Sequence, residues 1–425
     1  MRSTHVIRLL RAFGLAVTVS LLVGACSQSN DSVVVPNDTA APQGVNWLPC
    51  GEIECGQVSL EVDSEAPDLG SVKVALYRRA SQRSAKAPTL IMLSDRRFGY
   101  SPRTLAEEAA LHFGSSVDGY NIVSVASRGM ADSPMPAGAE TRIATLDVVE
   151  DLEVIRETLG VSSVFAMGWG TGATAITTWK MQYPESITAA VVDAPKDPSK
   201  SMGQQIVTQL ESSRLAAMTA VKWCASHLSC DLNAEVADEI QRFKLKMLTG
   251  TVPPAVTKEI VARAAANALA VNRPNDIFTA IAEAMDGNAE PFVTLAGPEL
   301  VASDAYATCA DVPQATAARM ALRAAEMHAE KTRQFPIGSE PTMYALCAQL
   351  PPSPRPLGEV KAFDEAKDGK VLVTIARGDP IVPPAPARKM AASMKWTYKS
   401  VYANQHLVVG FDRAITAAAM EFLAS

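Results

Sequence analysis

Apolar and polar residues alternate in the early part of this chain and then collect into runs. Residues 58–62 alternate, residues 72–77 are strand-like again, and residues 89–93 (Thr-Leu-Ile-Met-Leu) are almost continuously apolar. Residues 120–125 form another short run that stops at Ser127-Arg128-Gly129. Alternation suits a strand buried on one face, and a continuous run suits one buried on both. Between 142 and 159, Ile143, Leu146, Val149, Leu152, Ile155 and Leu159 recur at helical spacing. A strand at 163–167, a helix at 173–183 and a strand at 187–192 follow. Strands alternating with helices predict a mainly parallel sheet covered on both faces.

The pattern changes near residue 200. Residues 202–348 are rich in Ala, Met, Leu and Glu with helical periodicity, which predicts an all-helical insertion. Alternation resumes with a strand at 370–375, a helix at 386–395, a strand at 397–401 and a closing helix at 411–423. A β/α core interrupted by helices after its sixth strand is the layout of an α/β-hydrolase with a lid. The expected fold class is therefore α/β: an α/β-hydrolase core at 47–199 and 356–425, with a helical cap at 200–355.

The N-terminus is of another kind. Arg2, Arg8 and Arg11 precede an uncharged stretch from residue 12 to 25, too short to cross a bilayer as a stable helix. It ends Leu22-Val23-Gly24-Ala25-Cys26, small residues before a cysteine, as bacterial lipoprotein signals end. Residues 1–25 are expected to be a signal peptide and Cys26 the lipidated residue; the alternative is an ordinary secretory signal beside an incidental cysteine. Residues 26–46 have the composition of a flexible tether. The implied location is the extracytoplasmic face of the cell membrane, with the membrane itself as a partner through the lipid.

Charge and cysteines refine this picture. The formal charge of −6 becomes −9 once the three signal arginines are gone, and no basic stripe appears, which argues against nucleic acid as a partner. Of seven cysteines, six remain beside Cys26, an even number in an oxidising compartment. Spacing nominates Cys50 with Cys55 and Cys224 with Cys230, leaving Cys309 with Cys347, among the roughly 15 pairings that six cysteines permit. No histidine falls into ligand spacing with both short pairs, so neither a metal nor another cofactor is expected.

Several motifs in order resemble the exported tripeptidyl and prolyl aminopeptidases of actinobacteria, serine hydrolases with an α/β-hydrolase core and a helical cap. They are Trp47-Leu48-Pro49-Cys50 with Cys55-Gly56, Gly168-Trp169-Gly170-Thr171-Gly172, Asp193-Ala194-Pro195-Lys196-Asp197-Pro198, Gly378-Asp379-Pro380, and Asn404-Gln405-His406. The resemblance spans about residues 47–425. It implies a nucleophile on a strand–turn–helix elbow, an acid at Asp379 and a base at His406, in the chain order serine, acid, histidine. It also implies an oxyanion site using the Thr171 N–H.

The elbow, however, has Gly170 where the family has serine, so no side-chain oxygen is present to attack. Other departures accompany it. The glycine-rich oxyanion loop of the family is Ser94-Asp95-Arg96-Arg97 here, the aspartate opening its Asp-x-Arg-Gly stretch is Ala126, and the glycine before the histidine is Gln405. Asp379 and His406 are either a remnant acid and base or a purely structural hydrogen bond. Thr171, Ser94 and Ser101 are alternative nucleophiles. Arg96 and Arg97 are candidates for binding a carboxylate or phosphate, or are solvated loop charges. Trp169 lines a cleft or packs in the core, while His112, His227 and His328 are isolated, and Met320 with Met327 suits cap packing.

The expected function is thus a tethered, catalytically impaired or inactive α/β-hydrolase relative that binds a peptide, lipid or envelope ligand. The rivals are a working peptidase or esterase with an unusual nucleophile, and a structural lipoprotein whose cleft has closed.

Overall fold

The computed structural model describes residues 44–200, 202–297, 307, 309–311, 351, 353–358, 360–367 and 369–425. Nine strands form one sheet in the order β1-β2-β3-β5-β4-β6-β7-β8-β9. They are β1 (Leu48–Pro49), β2 (Glu54–Glu61), β3 (Ser71–Arg79), β4 (Thr89–Leu93), β5 (Asn121–Val125), β6 (Val164–Trp169), β7 (Ile187–Asp193), β8 (Lys370–Ala376) and β9 (Thr397–Val401). The first three strands pair antiparallel, β3 meets β5 antiparallel, and every pairing from β5 to β9 is parallel. Strand β1 is among the short elements that hydropathy did not announce, because a two-residue strand carries no period.

Burial follows the pattern in the sequence. In β2 the apolar Val58 and Leu60 point inward while Gln57 and Ser59 stay exposed, as a half-covered strand requires. In β4, Leu90, Ile91, Met92 and Leu93 are all fully buried, because helices cover both faces. Those helices include α1 (Pro102–Glu107), α2 (Ala109–Phe113), α3 (Thr145–Thr158) and α4 (Thr171–Gln182). In α3, Val149, Leu152 and Ile155 form the stripe expected from their spacing. Ile143 lies outside the helix and packs near Ala310 instead. The buried Arg128 guanidinium binds both oxygens of Asp151 on α3, at 2.6 and 2.5 Å, and reaches the carbonyls of Val62 and Arg142. This ion pair joins the loop after β5 to α3 and to the end of β2.

The described part of the insertion is helical: α5 (Met202–Ser226), α6 (Val236–Leu248), α7 (Lys258–Ala270), α8 (Pro274–Met285) and α9 (Glu290–Ala296). It has its own core around Phe243, Phe278 and Phe292, separate from the core of the sheet. Hydrogen bonds tie it to the core. Ser212 and Ser213 on α5 donate to the carbonyls of Asp379 and Pro380, and the backbone N–H of His406 donates to Ala270 at the end of α7. The chain then completes the core with α10 (Asp364–Lys367), α11 (Pro384–Ser393) and α12 (Arg413–Ala424).

Cys50–Cys55 and Cys224–Cys230 are disulfides, as their spacing suggested. Cys309 is also disulfide-bonded. Its expected partner Cys347 lies outside the described residues, as do Cys26, the expected signal peptide, most of the tether, Met320, Met327 and His328. No helix among the described residues is long and apolar enough to cross a membrane.

Candidate active site

The elbow forms where the sequence placed it. Strand β6 ends at Trp169, α4 starts at Thr171, and Gly170 between them has φ +51° and ψ −109°. That conformation is strained for any residue with a side chain, and glycine relieves much of the strain. Gly172 is needed for a different reason: a β-carbon there would run into the backbone oxygens of Leu93 and Ser94. The loop after β4 therefore lies directly against the start of α4.

Two strands further on, the acid and the histidine meet. Asp379 follows β8 and His406 follows β9, and Nδ1 of His406 lies 3.1 and 3.0 Å from the two carboxylate oxygens of Asp379. Asp379 is aimed by the N–H groups of Ile381 and Val382, which donate to Oδ1 at 2.7 and 2.8 Å. Both side chains are almost completely buried. Phe98 lies edge-on to the imidazole, with ring centres 5.5 Å apart.

Asp193, which opens one of the motifs that carry the resemblance, belongs to this arrangement. Its carboxylate accepts the N–H groups of Val408 and Val409 at 2.7 and 2.9 Å and the Thr374 hydroxyl at 2.9 Å, so it holds the segment just after His406. Burial pushes its pKa up to about 7, against the pull of those donors and of His406. The next residue, Ala194, has φ +56°, a left-handed conformation that glycine adopts more readily than alanine. The aspartate ending a buried strand was the available signal, since a carboxylate there must find donors.

The residue that sequence reasoning missed is Asp95. A β-carbon built on Gly170 would overlap Oδ2 of Asp95, so the carboxylate fills the place that a nucleophile's side chain would take. The same Oδ2 accepts the Thr171 N–H at 2.8 Å, and Oδ1 accepts the N–H groups of Arg97 and Phe98 at 2.8 and 2.9 Å. The Arg96 N–H in turn donates to the Thr171 hydroxyl at 3.0 Å. An oxyanion hole in this kind of site uses the N–H after the nucleophile and one from the loop after the third core strand. Here Thr171 N–H and the loop amides from 96 to 98 are all satisfied by side chains of this chain. Thr171 stands where an oxyanion donor was expected, but its N–H is already taken.

Electrostatics reinforce this. Burial draws the His406 imidazole toward its neutral form, but the charge and hydrogen bond of Asp379, with Asp95 and Asp193 beyond, outweigh it and raise the pKa. Carboxylates thus face the imidazole from β4, β7 and β8. The imidazole therefore holds its proton more tightly than a free histidine does.

These groups border a pocket of about 140 Å³ whose wall includes Asp95, Phe98, Gly170, Thr171, Lys196 and His406. Arg96 and Arg97 also reach it, though not as a matched pair. An Arg96 Nη donates to the Arg128 carbonyl at 2.5 Å, while Arg97 is exposed and lies over the Phe98 ring. Ser94 lines the pocket too, and its buried hydroxyl has no hydrogen-bond partner among the described residues. Ser101 is elsewhere, capping α1 by accepting the Thr104 N–H. Trp169 packs against Phe113 and donates to the Val409 carbonyl, so it belongs to the core. His112 stacks on Tyr100 and His227 on Trp223, both away from the pocket. No group of three or more potential metal ligands occurs among the described residues.

A sequence model of the alpha/beta hydrolase fold family matches residues 98–280. No curated protein matches the chain. Among solved structures it is similar to a meta-cleavage product hydrolase from Pseudomonas fluorescens, at 9% identity and TM-score 0.42 over 83% of this chain and 94% of that one. It is also similar to naproxen esterase from Bacillus subtilis, at 10% identity and TM-score 0.42 over 88% and 92% of the two chains. A thermophilic esterase from Thermogutta terrifontis gives 12% identity and TM-score 0.42 over 87% and 98%. What separates this chain from a generic doubly wound sheet is the turn at Gly170 and, beyond it, an acid and a histidine that meet; a chain with that order in that sheet has the α/β-hydrolase fold.

Proposed function

We propose that this protein is a disarmed relative of the tripeptidyl and prolyl aminopeptidase-like hydrolases. In this reading a lipid on Cys26 tethers it outside the cytoplasmic membrane, and it acts by binding a peptide, lipid or envelope component in its capped pocket. The observation that carries the loss of catalysis is the Asp95 carboxylate in the nucleophile's place, bonded to the Thr171 N–H.

The nucleophile and the oxyanion site are both affected. Loss of the nucleophile costs roughly 10⁶-fold in kcat, about 8 kcal/mol. An oxyanion donor that is unavailable removes about 10²–10³-fold more. A carboxylate in the same place also repels the negative charge that develops on the substrate oxygen. The motifs in order from Trp47 to His406 support the family relationship, and the small-residue run ending at Cys26 supports the tether.

One observation favours a second reading, a working hydrolase with a displaced nucleophile: Ser94 offers a buried hydroxyl on the pocket wall that has no partner among the described residues. Fluorophosphonate labelling of the full-length protein separates the two. The disarmed reading expects no adduct; an adduct that peptide mapping places on Ser94, or on any other hydroxyl, overturns it.

A further inference from the structure

We propose that the oxyanion cradle of this protein is intact but self-occupied, with Asp95 serving as a tethered carboxylate ligand that closes the site against acyl substrates and small carboxylates. The inference rests on the disarmed reading and gives it a mechanism: the donors are present and filled from within.

Three observations meet at this point. The donors come from two separate elements, the loop after β4 and the first residue of the twelve-residue helix α4. The carboxylate is therefore gripped across the cleft as well as by its own turn. Its Oδ2 overlaps the β-carbon position of Gly170, so the seat accepts either a side chain at 170 or the carboxylate of residue 95, but not both. Among the described residues the adjoining Ser94 hydroxyl, on the same pocket wall, is buried without a partner, so the site retains polar capacity beyond what Asp95 uses. A buried hydroxyl without a partner is costly, and a small oxyanion entering a vacated cradle would lie beside it. Because Asp95 is covalently attached, its effective concentration at the donors exceeds that of a dissolved anion, and the resting protein excludes free carboxylates.

Chemical rescue tests this. In full-length protein with Asp95→Gly, the cradle loses its anion, and sodium formate should replace it. At ten times its dissociation constant, formate should raise the Tm of the variant by about 1–3 °C, saturably. Sodium chloride at equal ionic strength should not do so, and formate should leave the wild type and Asp95→Asn unmoved. Equal stabilisation of wild type and variant, or no effect on a folded Asp95→Gly protein, overturns the proposal. If that variant does not fold, amide exchange in Asp95→Asn decides. Exchange at Thr171, or at Arg97 and Phe98 together, should quicken about tenfold, and unchanged exchange at all three overturns the proposal. A fluorophosphonate adduct on the wild type would end the disarmed reading without altering either result.

Discussion

Asp95 and Gly170 share one seat: Oδ2 of the first fills the volume that a β-carbon on the second would need. This relationship makes the simplest repair of the active site unfavourable. In Gly170→Ser the new side chain meets the carboxylate and must also adopt φ +51°. Overpacking and backbone strain each cost about 1–3 kcal/mol, so the variant should lose roughly 2–6 kcal/mol in denaturant unfolding. It should also remain unlabelled by a fluorophosphonate. Asp95→Gly combined with Gly170→Ser should recover at least about 1 kcal/mol of that loss, because residues in contact are not additive. Additive costs would mean that the two residues do not compete for space.

The sheet and the elbow were legible in the sequence, whereas the occupant of the elbow was not. Runs such as residues 89–93 announce buried strands, and Gly168-Trp169-Gly170-Thr171-Gly172 marks the turn because close packing demands glycine at fixed spacing. Asp379 and His406 were placed only by the resemblance, through its motifs around them. Asp95 escaped notice because nothing local distinguishes an aspartate in a loop from a solvated charge, and the two arginines after it drew attention instead. Its role depends on a contact with Thr171, 76 residues away, which no local period encodes. The loss of a side chain at 170, next to a loop that had gained a carboxylate, was the available clue.

The environment of His406 predicts a pH dependence. Its pKa in the folded protein is raised above the ordinary value of 6.5 by neighbouring carboxylates, despite burial. The folded state therefore keeps the proton longer than the unfolded chain. The resulting stability is fully present below pH 6.5 and is lost as pH rises through the folded-state pKa. Asp193, held up to about 7, acts in the same sense: the folded protein binds its proton more tightly, so stability falls as pH rises from about 4 toward 7. Unfolding free energy should thus decline as pH rises above 6, and His406→Gln should flatten that decline. An imidazole whose NMR titration midpoint lies below 6.5 would contradict the raised pKa of His406.

The Arg128–Asp151 pair gives a stability prediction free of the active site. Both side chains are buried, with two short bonds between them and carbonyls around the guanidinium. Removing one partner leaves a buried charge without its counterion, which costs about 3–5 kcal/mol. Asp151→Ala should lose that much in denaturant unfolding. Replacing both partners, as Arg128→Met with Asp151→Leu, should cost markedly less, since no charge is then stranded. A double variant as unstable as the single one would show that packing, not charge, sets the loss.

Cys26 carries the remaining prediction, which concerns location. A single acyl chain binds membranes only marginally, whereas a diacylglyceryl thioether with an amide-linked chain anchors a protein stably. If Cys26 is modified in this way, the wild type should incorporate radiolabelled palmitate and sediment with membranes after washing in high salt, because acyl insertion is not screened. Cys26→Ala should take up no label. It should either appear in the soluble fraction or remain as an unprocessed precursor, which its greater mass would identify. The body of the protein should not change, since Cys50–Cys55 and Cys224–Cys230 are bonded to each other and not to Cys26. A wild type that takes up no palmitate and is recovered free of the membrane would identify the leader as an ordinary secretory signal and require the binding function to be sought away from the bilayer.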